Sequence, residues 1–235
     1  MYHASKSTWY NPAVEYIFNR EIIEYDMKDA GISIIQHFKL LDEDVISELL
    51  TMEKTERHIN IGKLRGKDRE LSKILNDKFS EMRSIFISEN NLTDDKIICV
   101  KNDAIYTIGS QSRLQFGKVE FIKKNIYSSY VRFVDNMNIE VFYGRSMDIK
   151  GIGEVNLDKH RLYMLMFIGK IVSYLEGKNA SLKRYLRSFV DQYKQKELDD
   201  GYYIEFNNMS SIINPMYNYQ KVLIPLIQIS LKEVP

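Results

Sequence analysis

Between Asp68 and Asn90 the apolar residues Leu71, Ile74, Leu75, Phe79, Met82, Ile85 and Phe86 recur at steps of three and four. This spacing predicts one long helix with a single face to bury. The runs on either side of it are β-leaning: Glu21–Met27 before it, then Ile97–Val100 and Ala104–Ile108 after it, the last two joined by Lys101-Asn102-Asp103. A strand, a returning helix and a tight hairpin point to an α+β fold, with an antiparallel sheet that receives the apolar stripe of the helix.

The rest of the chain extends this pattern. Ala30–Phe38 has helical spacing, and Asp42 is placed to cap a helix that follows it. Val119–Ile122, Ser129–Phe133 and Ile139–Tyr143 alternate as strands and predict a meander. After Gly144–Gly153 the period changes: His160–Leu175 and Leu182–Tyr193 read as helices, followed by short apolar runs at Tyr202–Phe206 and Val222–Ile227 around Pro215. The expected organisation is an N-terminal arm over 1–19, an α+β domain over 20–145 and a mainly helical region over 146–235.

Composition narrows the function classes. The chain of 235 residues has 33 Lys+Arg against 32 Asp+Glu, so it is no basic coat protein, and 44% hydrophobic residues exclude disorder. Its single cysteine, Cys99, and four scattered histidines (His3, His37, His58, His160) do not make a zinc cage. No apolar run approaches the ~20 residues that span a bilayer, and no secretory signal opens the sequence, so a cytoplasmic protein without a membrane partner is expected. Cations do cluster locally. Lys63, Arg65, Lys67 and Arg69 fall within seven residues, and Lys183, Arg184 and Arg187 within five; both groups are candidates for phosphate contacts. Trp9, Tyr202 and Tyr203 are candidates for stacking on bases. Glu120-Phe121-Ile122-Lys123 is one residue too long for the acid-and-lysine pattern of restriction-type nucleases, Gly151-Ile152-Gly153 lacks a third glycine, and there is no GxxxxGK[ST] loop.

Two acids carry the chemistry. Asp26 ends the first strand and Asp103 sits in the hairpin, so the intervening helix can bring them side by side, where a carboxylate pair could hold Mg²⁺. The segment Glu24-Tyr25-Asp26-Met27-Lys28-Asp29-Ala30-Gly31-Ile32-Ser33-Ile34-Ile35 resembles the first palm motif of B-family DNA polymerases, a metal-binding aspartate, several residues and then Tyr-Pro-Ser-Ile. Asp26 matches that aspartate, and Ser33-Ile34 the serine and isoleucine. Val100-Lys101-Asn102-Asp103-Ala104-Ile105 is similar to the third palm motif, with Asp103 at the essential acid of either the B-family or the A-family hairpin. Ile59–Gly66 looks like the segment that leads into the pre-hairpin helix of A-family enzymes.

The resemblance covers roughly residues 20–110. It implies a reduced palm, with Asp26 and Asp103 as catalytic metal ligands, Mg²⁺ as cofactor, Lys63, Arg65, Lys67 and Arg69 toward a nucleoside triphosphate or template phosphate, and Lys183, Arg184 and Arg187 on a thumb-like helical part against nucleic acid. Departures mark it as divergent. Lys101 and Ala104 replace acids of the family hairpins, and Gly31 stands where a tyrosine excludes ribonucleotides. A lysine beside Asp103 could substitute for a metal, which opens a second reading: a catalytically degenerate palm that binds another protein in replication or transcription. A third is an interaction protein unrelated to polymerases.

Overall fold

The computed structural model describes residues 7–133, 139–151, 161–199, 202–203, 205–206, 212–213 and 223–232. Met1–Lys6 of the arm, Gly153, His160 and Pro215 lie outside them. The chain divides into two compact units, 1–14 with 19–128, and 15–18 with 129–235. The division thus falls between Ser128 and Ser129, inside a strand, and not near 145 as the change of period suggests.

In the first unit β1 (Thr8–Tyr10), β3 (Ile22–Met27), β4 (Ile97–Lys101), β5 (Ala104–Ile108) and the N-terminal part of β7 (Val119–Phe133) form an antiparallel sheet in the order β1-β4-β5-β3-β7. A short β6 (Gln115–Phe116) adds to β7. Four helices separate β3 from β4: α1 (Ala30–Phe38), α2 (Glu43–Thr51), α3 (Lys54–Lys67) and α4 (Arg69–Glu89). The expected strand, hairpin and long helix are all present. Their alternation places Ile23, Tyr25 and Met27 in one core with Ile34, Leu75, Met82 and Phe86, and turns Glu24 and Asp26 to the opposite face.

Three local readings change. The N-terminal arm, irregular by its sequence pattern, supplies a strand, since β1 pairs with β4 and the buried Asn11 donates through its side-chain amide to the Asp94 and Ile97 carbonyls. Asp42 occupies the N-cap of α2 without a side-chain capping bond. The run Lys63–Arg69 ends one helix and opens the next, because α3 continues through Lys67, Asp68 breaks the helical path and Arg69 begins α4. Asp68 adopts extended dihedrals, and its carboxylate accepts from the Glu70 and Leu71 amides at 2.9 and 3.0 Å. It therefore both stops α3 and caps α4, while Arg65 and Lys67 meet the carbonyl end of α3, where cations are favoured. Replacing Asp68 with alanine is expected to cost about 1 kcal/mol in urea unfolding. An unchanged midpoint would show that the cap is dispensable.

In the second unit β2 (Tyr16–Ile17) pairs with the end of β7, followed by β8 (Ile139–Gly144) and β9 (Met147–Lys150). The expected helices are α5 (Arg161–Gly177) and α6 (Ala180–Gln195), and α6 is capped by Asn179. Ile224–Ile227 of the last apolar run open α7 (Ile224–Lys232), Val222 lying outside the described residues, and β10 (Glu205–Phe206) pairs with β11 (Ile212–Ile213). Phe167, Ile171, Leu186, Phe189 and Ile227 close a core of their own with Val141. This unit thus combines strands, most of them before residue 151, with described helices that all lie after residue 160. No helix among the described residues is long and apolar enough to cross a membrane.

Candidate acid-pair site

The pairing of β3 with β5 sets Asp26 opposite Ala104, and the Met27 amide donates to the Asp103 carbonyl at 3.2 Å. Neighbouring strand ends therefore bring the two acids together. Asn102 makes the turn at φ 48°, a left-handed conformation that asparagine tolerates. Behind the turn Arg83 of α4, almost fully buried, donates to the Asn102 carbonyl, so the long helix holds the hairpin that carries Asp103.

Burial first, and then the charge of Asp26, push the Asp103 carboxyl above the ordinary carboxylate value, against smaller opposing effects from Lys124 and Arg83. The sign of the linkage follows. Below the ordinary carboxylate value Asp103 is protonated in both states and costs nothing. As pH rises through its raised folded pKa the native state must accept an unfavourable charge and loses stability. Asp103→Asn is therefore expected to melt higher than the wild type at pH 7, with the gap closing as pH falls through that window. A variant that melts lower than wild type at pH 7 would contradict it.

The third acid of this face is Glu24, which is buried. The Tyr106 hydroxyl donates to its Oε1 at 2.9 Å, and the Asn125 amide and the Tyr127 hydroxyl donate to its Oε2 at 2.6 and 3.3 Å. Burial and the Glu24 charge push the Tyr106 phenol far upward, so it stays a donor. Lys124 completes the face. Its ammonium donates to Asp26 Oδ2 at 3.0 Å and lies 3.9 Å from Glu24 Oε1. The hydrogen bond to Asp26, with the charges of Asp26, Glu24 and Asp103, outweighs desolvation and holds the Lys124 pKa above the usual value.

A pocket of about 280 Å³ opens on Asp26 and Asp103, with Gly31 on its wall and Lys54, His58 and Arg65 from α3 around it. A second, of about 640 Å³, shares Arg65, Phe79 and Asp103 and adds Asn76, Asn102 and Arg83. Of the four clustered cations only Arg65 lines these pockets, held by a 2.9 Å bond from its guanidinium to Asn76 Oδ1. Lys63, Lys67 and Arg69 are exposed on the turns around Asp68. Lys183, Arg184 and Arg187 belong to the second unit, on α6, where Arg184 and Arg187 are exposed.

A profile of the family described as Bacteriophage PBS1 gene 130 protein matches residues 1–232. The chain belongs to that family. No curated protein matches it. The family's description names a phage gene and no activity, so the chemistry of this member has to be argued from its residues.

Several sequence expectations move. Trp9 is buried in the first core, Tyr202 packs edge-on against Phe189, and Tyr203 stacks on Tyr193, so these rings serve packing. Lys101 holds its ammonium over the Tyr10 and Tyr106 rings at 5.5 and 5.9 Å, whereas the lysine hydrogen-bonded within the acid pair is Lys124. Lys54, His58, Arg83, Glu24 and Lys124 were not singled out from sequence. Glu24 carried a signal, since it lies two residues from Asp26 on the same strand face. Lys124 carried none, because its direction depends on an irregularity in β7.

Proposed function

We propose that the first unit handles nucleotides as a reduced polymerase palm, with Asp26 and Asp103 as the Mg²⁺ ligands for nucleotidyl transfer. The supporting observation is that pairing of β3 with the β4–β5 hairpin puts both acids on one pocket whose other wall carries Lys54, His58 and Arg65. The donor set fits the ion. Magnesium takes one or two carboxylates together with water and phosphate oxygens, and two mutually repelling carboxylates with cations nearby match that requirement. When bound, Mg²⁺ supplies stabilisation of negative charge on phosphoryl oxygens.

The chain's own residues do the rest. Arg65, fixed by Asn76, is placed to neutralise a polyphosphate, and Lys54 adds charge although it also pairs with Asp29 at 3.2 Å. Gly31 puts no side chain into the pocket, so this reading expects weak discrimination between ribose and deoxyribose. Lys183, Arg184 and Arg187 are the candidates for following a nucleic-acid backbone. The reading places the protein in the cytoplasm, where nucleotides and templates are found.

A second reading is favoured by the Lys124–Asp26 bond at 3.0 Å, which sets a fixed cation where a metal would compete. In it the palm is degenerate and serves as a binding or accessory protein. Labelled primer-template DNA and RNA, with mixed dNTPs and rNTPs and with or without Mg²⁺, separate the two when binding and extension are scored together. Mg²⁺-dependent extension that Asp103→Ala abolishes supports the enzyme. Binding without extension moves the assignment to the accessory protein, and neither result leaves an interaction protein outside nucleic-acid chemistry.

A further inference from the structure

The register between β3 and β7 shifts at one point. Glu24 opposes Asn125 and Tyr25 opposes Lys123, so Lys124 is the extra residue of a β-bulge. Bulges re-aim a side chain that regular pairing would direct elsewhere. Here the re-aimed ammonium reaches Asp26 Oδ2 at 3.0 Å and Glu24 Oε1 at 3.9 Å. We propose that Lys124 is a built-in counter-ion that competes with the divalent cation for Asp26 and so sets the metal affinity of the acid pair. This inference rests on the reading of Asp26 and Asp103 as the metal-holding residues.

Three features make the competition effective. No group of three or more Asp, Glu, His or Cys side chains able to hold a metal occurs among the described residues. Asp29 also lines the pocket but is engaged by Lys54 at 3.2 Å and Arg57 at 3.5 Å, so on the reading above metal affinity depends on Asp26 and Asp103, and an ammonium on one of them weakens half of that donor set. Glu24 is not free to join them, because Tyr106, Tyr127 and Asn125 already hold both of its oxygens. It is well placed, however, to retain the ammonium that Asp26 releases. Lys124 itself is half exposed, with 52% of its side chain accessible, so moving it away from Asp26 disrupts no packing. Asp26 then keeps a cationic partner without metal through Lys124 and exchanges that partner when a divalent cation arrives.

The test is direct titration of the full chain with Mn²⁺ and Mg²⁺, without nucleotide, followed by calorimetry and by the shift in melting temperature. Wild type, Lys124→Met, Lys124→Gln, Lys124→Arg and Asp103→Ala are compared, and thermal melts establish that each is folded. The Met and Gln variants are expected to bind Mn²⁺ about five- to tenfold more tightly than wild type, as loss of one partly exposed ion pair implies. Lys124→Arg should stay near wild type, and Asp103→Ala should lose binding. Saturable binding seen only in the Met and Gln variants would be the strong form of the same result. If wild type binds and Asp103→Ala does not, but Met and Gln variants bind equally or more weakly, the role of Lys124 is overturned while the acid-pair site stands. If no protein binds, the acid pair is not a metal site and the reading beneath the proposal falls with it.

Discussion

Asp26→Ala is expected to lower Mg²⁺-dependent nucleotide incorporation by about 10³-fold or more, while its melting temperature stays close to that of the wild type. The loss is large because Asp26 is one of the two carboxylates proposed to hold the metal, the pocket's third aspartate, Asp29, being paired with Lys54 and Arg57, and a charge stabiliser aimed at reacting phosphoryl oxygens acts on the transition state itself. A 10³-fold loss corresponds to about 4 kcal/mol of barrier. The fold should tolerate the change because Asp26 opens on a pocket and bonds the exposed Lys124, while its neighbours Tyr25 and Met27 make the core contacts of β3. Its partner Lys124 is half exposed and returns to water without a buried unpaired charge. Parallel extension assays and thermal melts check both halves. Retained incorporation would remove Asp26 from the chemistry, and a collapse in melting temperature would make its role structural.

Phe86→Ala is expected to destabilise the first unit by about 3–5 kcal/mol, the cost of deleting a fully buried ring. Phe86 is inaccessible to solvent, and its ring centroid lies 4.5 Å from Phe121, 5.2 Å from Tyr25 and 6.2 Å from Phe116. It therefore ties α4 to β3, β6 and β7 at once. Because α4 also supplies Arg83 to the Asn102 carbonyl, loosening this contact should also disturb the turn that carries Asp103. Urea unfolding followed by circular dichroism measures the loss as a lower midpoint at unchanged slope. A change below about 1 kcal/mol would mean that neighbouring side chains refill the cavity.

Much of the first unit was legible in the sequence because its elements have strong periods. The stripe from Leu71 to Phe86 became α4, and the flanking β-leaning runs became β3, β4 and β5 with the hairpin where Lys101-Asn102-Asp103 placed it. By contrast α3 was hidden. It buries Ile61 and otherwise presents mostly polar residues and two glycines, so no apolar stripe announces it. Missing α3 left the cation cluster without an element to place it, although Arg65 reaches the acid pocket because α3 lays it beside Asn76. β7 was read as two strands, since Lys123, Lys124 and Asn125 interrupt its apolar alternation. The sheet tolerates them, because the bulge turns Lys124 toward the acids and Asn125 finds Glu24.

The sequence by itself determined that this chain is α+β and that Asp26 and Asp103 lie where neighbouring strands end. Those conclusions rest on local periods and turn chemistry, which act within a few residues. Only the tertiary structure decided which charges share a site. It selected Arg65 from four cations, surrounded Glu24 with donors from residues 82 to 103 positions away, and chose Lys124 over Lys101 as the lysine hydrogen-bonded to the acid pair. Electrostatic partnership depends on distances of a few ångströms between strands far apart in sequence, and a single bulged residue is enough to change it.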